Sequence, residues 1–293
     1  AGDYRFDSGY HAADRIIEVR GIVNGTTNYI MTQMNKNGAS YDDALESAQE
    51  LGFAEADPTN DVDGIDAAYK MIILTQFAFG KDVTMDQVKV KGIRGIQKAD
   101  IAEAKRLGYV IKLLGIAKLV NGHIDVSVGP VLVPQTQPLA AIQNENNAVV
   151  VTGSAVGETM FYGPGDGELP TANSVLSDIT SVTKNIVMGT TGFSFNDYTN
   201  ELELADDSEV VYPYYLSLQV LDKPGQMLKL TEIMTEYDAS FRLITQTQMN
   251  DRFARVSMVT HEMSESQLNH IVEKLNELEE ISVLAAYKVL TEK

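Results

Sequence analysis

The chain has 293 residues and a net charge of −18, with 44% hydrophobic residues, 22% charged residues and no cysteine. This composition is typical of a globular protein that is long enough for two domains. The negative charge argues against a nucleic acid or an anionic membrane surface as a partner. The absence of cysteine excludes disulfides and thiolate chemistry and is typical of a cytoplasmic protein.

The ends of the chain carry no targeting signal that we recognise. The N-terminal segment AGDYRFDSGYHAADRIIEV lacks the apolar core of a signal peptide, and no stretch is apolar over the length that spans a membrane. We therefore expect neither a signal peptide nor a membrane span. Because the chain begins without methionine, we expect it to be a piece of a longer protein.

A first block, residues 12–192, mixes predicted helices and strands. Capping residues, stop glycines and apolar periodicity define its elements. Asn121-Gly122 is a strong signal for a two-residue hairpin between two apolar strands. In chain order, the sequence predicts a strand at 15–23, a helix ending at Gly38, a helix at 43–51 capped by Ser40 and Asp43, a helix at 99–107, the hairpin strands 109–120 and 123–133, a strand pair at 147–156 and 158–163, and a helix from Pro170.

One further helix follows an acidic loop. Asp63 is the expected N-cap of a helix that runs to about Phe79. Its apolar stripe is predicted to comprise five side chains that recur with helical spacing, namely Ile65, Tyr69, Ile72, Ile73 and Phe77.

A second block follows an acidic connector. Residues 193–212 lack a helical stripe and are rich in carboxylates, which is typical of a solvated linker. Residues 213–293 alternate between strand and helix patterns in the order β-α-β-β-α-β. That order predicts a ferredoxin-like domain with a four-stranded antiparallel sheet and two helices on one face. The whole chain is therefore predicted to be an α+β protein with a mixed sheet and covering helices.

The acidic loop and the helix after it form the constellation most suggestive of chemistry. Five carboxylates fall within residues 55–66, and Asp66 and Lys70 are spaced as i and i+4 on the helix. A lysine that is partly desolvated beside carboxylates is suited to proton transfer, and the carboxylates could also bind an ammonium group. A surface ion pair of small energy explains the same spacing equally well on pattern alone.

Six segments of the first block resemble the homoserine dehydrogenase family. The most specific is the acidic loop together with the helix that ends on Lys70. The segments cover about residues 12–185 and are GIVNGTTNYI at 21–30, LGFAEADPTNDVDGIDAAYK at 51–70, GYVIKLLGIAK at 108–118, QPLAAI at 137–142, NAVVVTG at 147–153 and YGPGDGELPTANSV at 162–175. The resemblance implies NAD(P)-dependent interconversion of L-homoserine and L-aspartate 4-semialdehyde.

The resemblance also implies roles for individual residues. Lys70 would handle the hydroxyl proton and Asp66 would support the reacting geometry, whereas Asp57 would hold the loop. The residues implied to bind substrate are Glu55, Asp61, Gly25 and Thr26. For Thr26, simple helix capping is an equally good explanation.

The family's N-terminal Rossmann domain, with its glycine-rich turn, has no counterpart in this sequence. The nearest candidate for a cofactor contact is the loop GPGDG, with Gly163, Gly165 and Gly167, whose spacing and proline do not fit a dinucleotide fingerprint. In the family this loop touches the cofactor from the substrate side. Asp166 stands where a small residue is more usual. We expect this chain to lack its nucleotide-binding domain and to be inactive alone.

The second block resembles an ACT domain, a module that senses small molecules. Its DKPG turn implies an amino-acid ligand near Asp222, Gly225 and Gln226, with L-threonine, the end product of the pathway, as the natural candidate. Such modules commonly pair at their edges, so we expect a homodimer or a larger homo-oligomer. A module that serves only dimerisation explains the pattern as well.

Two alternatives to an enzyme remain open at this stage. The chain could be an amino-acid sensor that has lost catalysis, or a scaffold for dimerisation that awaits a separate nucleotide-binding chain. The four histidines lack metal-ligand spacing, so we expect no metal site.

Overall fold

The computed structural model describes residues 14–191 and 202–291. The strands in these ranges are β1 (Ile16–Ile22), β2 (Lys89–Val90), β3 (Tyr109–Val120), β4 (His123–Pro134), β5 (Asn146–Gly153), β6 (Gly157–Pro164), β7 (Val211–Tyr212), β8 (Tyr214–Leu221), β9 (Phe241–Gln248), β10 (Phe253–Thr260), β11 (Met263–Ser264) and β12 (Ile281–Val289). The helices are α1 (Gly25–Asn37), α2 (Tyr41–Glu50), α3 (Thr59–Val62), α4 (Ile65–Phe79), α5 (Lys98–Arg106), α6 (Glu168–Met188), α7 (Gln226–Glu236) and α8 (Glu265–Asn276).

A single sheet runs through both blocks of the chain. Its strand order is β6-β5-β1-β3-β4-β12-β8-β10-β9, with β2 pairing to β4 beside this path. Neighbouring strands along the path are antiparallel except at the junction of the blocks, where β12 pairs with β4 in parallel through Lys288 opposite Val131 and Val289 opposite Leu132. The predicted α+β class with a mixed sheet is confirmed, and the two blocks are joined by backbone hydrogen bonds.

Three local predictions in the first block are confirmed, namely the hairpin turn, the end of α1 and the start of α2. The β3–β4 hairpin turns at Asn121 and Gly122, whose φ angles of 53° and 92° are those of a two-residue hairpin turn. Helix α1 ends at Gly38 in the left-handed conformation, and Ser40 and Asp43 form the capping box of α2. These residues define their elements through local backbone geometry.

The prediction for α4 is wrong in its cap and in its buried face. Gly64, in the left-handed conformation, stands at the N-cap, whereas Asp63 ends α3 and binds Arg94. Three members of the predicted stripe, Tyr69, Ile73 and Phe77, are at least half exposed. The buried residues are instead Ala67, Ala68, Met71, Leu74, Thr75 and Phe79.

Close packing of α4 against the sheet explains this choice of face. Helix α4 contacts β3 and β4, and β3 presents Gly115 directly below Met71. Small residues such as Ala67 and Ala68 allow the helix to approach the strands closely, so the helix turns them inward although Tyr69 and Phe77 are more hydrophobic.

The acidic connector is only partly as expected. Residues 193–201 lie outside the described residues, but residues 202–212 pack against the first block, so the solvated linker is a wrong prediction there. Leu204 bridges to Ile124 of β4, and Val210 and Tyr212 are buried. Asp207 forms an ion pair with Lys89 of β2. Asp207 therefore meets a lysine of the sheet and Glu209 meets His123 of β4, while the apolar residues between them join the core.

The second block has the predicted β-α-β-β-α-β order, with β12-β8-β10-β9 as its strands. Tyr214, Leu216, Leu218 and Val220 face the core beneath α7 and α8, as the alternation predicted. The opposite face of this sheet is covered by α5 of the first block, which buries Asp100 against Arg255 and Tyr215. Both faces of β8 and β10 are thus packed, whereas the edge strand β9 is largely exposed.

Helix α6 presents the largest exposed apolar face among the described residues. It has 21 residues and none is buried. Leu169 and Val187 are each 80% exposed. None of the helices in residues 14–191 and 202–291 combines the length and apolarity needed to cross a membrane.

Candidate active site

Lys70 and Asp66 form an ion pair at the start of α4. The Lys70 Nζ lies 2.7 Å from Asp66 Oδ2 and also donates to the backbone oxygen of Val23 at 2.9 Å. The two side chains are 28% and 33% exposed. Lys70 is therefore partly desolvated, as expected, and two fixed acceptors orient its ammonium group.

Asn24 connects this ion pair to a second carboxylate. It follows β1 and caps α1, and its Nδ2 donates to Asp61 Oδ1 at 2.7 Å and to Asp66 Oδ2 at 2.9 Å. Its Oδ1 accepts from the backbone N–H and the hydroxyl of Thr27, each at 2.8 Å. The site is consequently built where the end of a strand meets the starts of two helices.

Asp61 is placed by α3, the short helix of the acidic loop. Burial raises the pKa of its carboxyl, and the neighbouring Asp66 raises it further. The hydrogen bond from Asn24 and the charge of Lys70 oppose that rise. A half-buried carboxylate in this setting is suited to bind an ammonium group, because a cation would relieve its unfavourable desolvation.

The remaining acids of the loop do not join this cluster. Asp57 accepts hydrogen bonds from the backbone N–H and the hydroxyl of Thr59, so it holds the loop as expected. Asp63 pairs with Arg94 at 2.5 Å. The side chain of Glu55 is exposed, and its backbone oxygen accepts from Gln49. The structure therefore brings together Asp61, Asp66 and Lys70.

Gly25 and Thr26 lie at the first turn of α1, next to Asn24. A Cβ on Gly25 would lie 2.7 Å from the backbone oxygen of Glu145. The two backbone segments are therefore too close for any residue with a side chain at position 25. Thr26 is buried and donates its hydroxyl to the backbone oxygen of Phe53 at 2.6 Å. Both residues fix the walls of the site.

The loop GPGDG lies at the same end of the sheet. Gly163 pairs with Asn147 of β5, and the next residue of β5, Ala148, pairs with Ile22 near the end of β1. Two strand spacings, about 10 Å, therefore separate this loop from the segment that leads to Asn24. The strand register brings together features that are far apart in the sequence.

The loop leads into the N-terminus of α6. Gly165 is in close contact with Asn147, where a Cβ would collide with the side-chain amide. Gly167 starts α6 without a side-chain cap, which leaves backbone N–H groups for an anion, although Asp166 and Glu168 place negative charge beside them. These residues fit one edge of a cofactor and not the whole of a dinucleotide.

Comparison with known proteins identifies the family of the chain. The family model of homoserine dehydrogenase matches residues 7–180, and a curated homoserine dehydrogenase from Bacillus subtilis is 47% identical over 281 residues. The chain belongs to the homoserine dehydrogenase family. A second curated homoserine dehydrogenase, from Lactococcus lactis, is 43% identical over 279 residues. The ACT domain model matches residues 214–280.

The match to solved structures of the family extends over both blocks. A homoserine dehydrogenase from Thiobacillus denitrificans superposes with a TM-score of 0.89 at 34% identity, covering 95% of this chain and 65% of that one. The Bacillus subtilis relative is likewise matched over 95% of this chain and 65% of its own length. The chain thus spans about 65% of the length of these two relatives.

Within residues 14–191 and 202–291, parallel pairing occurs where β4 meets β2 and β12. This part of the chain therefore does not contain the repeated parallel strand–helix units of a dinucleotide-binding fold.

Sequence reasoning missed two buried polar residues of this chain. Asn24 received no role from the sequence, although an asparagine in the NGTTN motif directly before a helix is a signal for an N-cap. Lys112 lies inside the apolar strand β3 and is 2% exposed. Its Nζ donates to Asn28 Oδ1 at 2.9 Å and to the backbone oxygen of Ile142 at 2.5 Å. A lysine in the middle of an apolar strand is the sequence signal that could have identified this buried polar residue.

The residues implied for a regulatory ligand lie at the start of α7. Gly225 has a φ of 92° and begins the helix without a side-chain cap. Gln226 is 7% exposed, and its Oε1 has no hydrogen-bond partner among the described residues. Asp222 accepts a hydrogen bond from Gln246 at 3.3 Å. The N–H groups of Asp222 and Lys223 are bonded to backbone oxygens, so the donors that remain for a ligand are those of the first turn of α7, which has no side-chain cap.

Proposed function

We propose that this chain is the substrate-binding and catalytic part of a homoserine dehydrogenase that interconverts L-homoserine and L-aspartate 4-semialdehyde with NAD(P). The observation that carries the proposal is the Lys70 ammonium, held by Asp66 and the Val23 carbonyl beside the half-buried Asp61. This arrangement offers a proton-transfer group and a separate anion for the substrate's ammonium group.

In this mechanism the chain's own residues bind the amino acid and move one proton. Asp61 attracts the α-ammonium group, with Glu55 at the rim of the loop as a second anion. During oxidation the Lys70 amine, after its own proton has passed to solvent, takes the hydroxyl proton and becomes the ammonium. During reduction the Lys70 ammonium gives that proton to the aldehyde oxygen and becomes the neutral amine. Asp66 and the Val23 carbonyl keep Nζ in one orientation, which lowers the entropic cost of proton transfer.

NAD(P), when bound, would supply the acceptor for the hydride that leaves the substrate carbon. In this chain the loop containing Gly163, Gly165 and Gly167 would touch the cofactor from the substrate side. The exposed apolar face of α6 supports docking of a nucleotide-binding part, which the unmatched third of the relatives' length would supply. An archaeal homoserine dehydrogenase solved in complex with NADPH, 30% identical over 60% of this chain, supports the choice of cofactor class.

The test separates binding from turnover. Homoserine should raise the melting temperature of the chain, because a ligand that binds the folded state stabilises it. The chain alone should show no turnover with homoserine and NADP⁺. Fused to the segment of the Bacillus subtilis relative that it does not match, it should become active.

Lys70→Ala provides the decisive variant in that fusion. It should lower kcat by roughly 10²-fold or more, the usual contribution of a positioned acid–base group, while homoserine binding changes less. Equal loss of binding and turnover would contradict a chemical role for Lys70. Binding without turnover in the fusion would favour an amino-acid sensor, and no binding at all would favour a scaffold.

For the C-terminal module we propose regulation by an amino acid, with L-threonine as the candidate, bound near Asp222, Gly225 and Gln226. The free N–H groups at the start of α7 and the unpaired Gln226 Oε1 support this assignment. We also propose a homodimer or larger homo-oligomer, in which exposed sheet edges are covered. Calorimetric titration with threonine, methionine and isoleucine tests the ligand, and no heat from any of them would favour a module that serves only oligomerisation.

A further inference from the structure

Asn24 makes more interactions than capping a helix requires. Its Oδ1 faces the backbone N–H of Thr27, which can only donate, so the opposite atom of the amide must be Nδ2. Each of the two Nδ2 hydrogens then meets a carboxylate, on Asp61 and on Asp66. All the hydrogen-bonding capacity of this side chain is used in a site where it is 4% exposed.

We propose that Asn24 is a positioning residue of this site: its side-chain amide holds the carboxylates of Asp61 and Asp66 side by side next to Lys70. An amide is suited to this task because it supplies two donors on one atom and an acceptor on the other. An aspartate would offer acceptors only, and a serine cannot donate to two carboxylates.

The two carboxylates need a hydrogen-bond donor between them because their negative charges repel each other. Asp61 and Asp66 come from α3 and α4, and the charge of Asp66 raises the pKa of the Asp61 carboxyl. The charged groups that act on Asp61 are Asp66 and Lys70, both from α4, while α1 faces it with the neutral side chains of Asn24 and Thr26. Two charge-assisted hydrogen bonds from Asn24 offset the repulsion without adding a cation that would compete with an ammonium ligand.

The same contacts connect Asn24 to the Lys70 ammonium. Asp66 Oδ2 accepts from both Asn24 Nδ2 and Lys70 Nζ, and the other acceptor of Nζ is the carbonyl of Val23, the residue before Asn24. Movement at Asn24 would therefore disturb both acceptors of Lys70 at once.

The test uses the chain itself and a variant that keeps the helix cap. Asn24→Ser retains an acceptor for the Thr27 N–H but loses the pair of donors. The carboxyl carbon of Asp61 is followed by NMR as pH is raised, without ligand. We expect the titration midpoint of Asp61 to move to higher pH in Asn24→Ser and in Asn24→Ala, because the hydrogen bond that favours its ionised form is lost.

Ser40→Ala is the matched control, because it removes the N-cap of α2 at a distance from the cluster. It should leave the Asp61 midpoint unchanged while lowering the melting temperature. An unchanged Asp61 midpoint in Asn24→Ser would overturn the proposal and leave Asn24 as a helix cap. This NMR titration needs no substrate.

A second arm rests on the proposed function. Calorimetry near pH 7 should show homoserine binding to Asn24→Ser roughly tenfold or more weakly than to the unmodified chain, the effect expected for a displaced charged partner. Equal affinity in the two proteins would count against the positioning role. A shifted Asp61 midpoint with no homoserine binding to either protein would support the role of Asn24 and contradict the proposed substrate.

Discussion

Lys112 shows how one residue couples a buried charge to stability. It lies in β3 with two neutral acceptors, Asn28 Oδ1 and the Ile142 carbonyl. Burial lowers the pKa of its ammonium group to about 8, and the charge of Lys36 acts in the same direction. The folded protein therefore disfavours the charged form of this side chain more than the unfolded chain does.

This shift predicts the pH dependence of stability. Below pH 8 both states hold the proton, whereas between about pH 8 and 10.5 the unfolded chain holds a proton that the folded protein has released. The contribution of Lys112 to the free energy of unfolding should thus rise with pH across this window, by up to about 3 kcal/mol.

Urea unfolding of the unmodified chain and of Lys112→Met from pH 7 to 10 measures this contribution. The difference in free energy of unfolding between the two proteins should shift in favour of the unmodified chain as pH rises. Lys223→Met, at an exposed turn, is the control and should show no such trend. A difference that stays constant with pH would show that Lys112 keeps its ordinary pKa.

At the scale of elements, the contact between α4 and β3 depends on a missing side chain. A Cβ on Gly115 would lie 2.2 Å from Met71 Cγ and 2.4 Å from its Sδ. Met71 is fully buried, so little free space is available around it. This contact positions the helix that carries Asp66 and Lys70.

Gly115→Ala should therefore destabilise the protein by about 1–3 kcal/mol through overpacking. Met71→Ala removes the obstacle, so the double variant should be less destabilised than the sum of the two single variants. Gly129→Ala on β4, where a Cβ would have ordinary contacts of 3.6 Å or more, is the control and should change stability by less than about 0.5 kcal/mol. Strict additivity in a double-mutant cycle by urea unfolding would contradict this account.

At the scale of the whole molecule, a buried ion pair joins the two blocks. Arg255 of β10 donates to Asp100 Oδ1 at 2.9 Å and to Ser217 at 2.8 Å, and Tyr215 also donates to Asp100. Asp100 is fully buried at the start of α5. Together with the β4–β12 pairing, this cluster makes the C-terminal module part of the same folded body.

Asp100→Ala or Arg255→Ala should each lower the free energy of unfolding by about 3–5 kcal/mol, because either change leaves a buried charge without its partner. The double variant should lose less than the sum. Lys229→Ala is the control. It removes an ion pair with Glu280 that lies within the C-terminal module and is well exposed to solvent. It should lower the free energy of unfolding by less than about 1 kcal/mol. Additive losses at Asp100 and Arg255, measured by urea unfolding, would refute the coupling.

The sequence by itself determined the elements that depend on local chemistry. Asn121-Gly122 fixed a hairpin, Ser40 and Asp43 fixed a helix start, and the i,i+4 spacing of Asp66 and Lys70 paired them on one face. Turns, caps and neighbouring helical positions involve residues that are close in the chain, so their geometry follows from the residues themselves.

Tertiary structure decided which face of α4 is buried, which acids converge, and how the blocks join. Tyr69 and Phe77 face outward because α4 approaches the sheet through small residues, and of the acidic loop only Asp61 and Asp66 meet at Asn24. The physical reason is that packing and repulsion between charges depend on distances between elements. The strand register and the shape of the partner surface set those distances, and neither can be read from one segment.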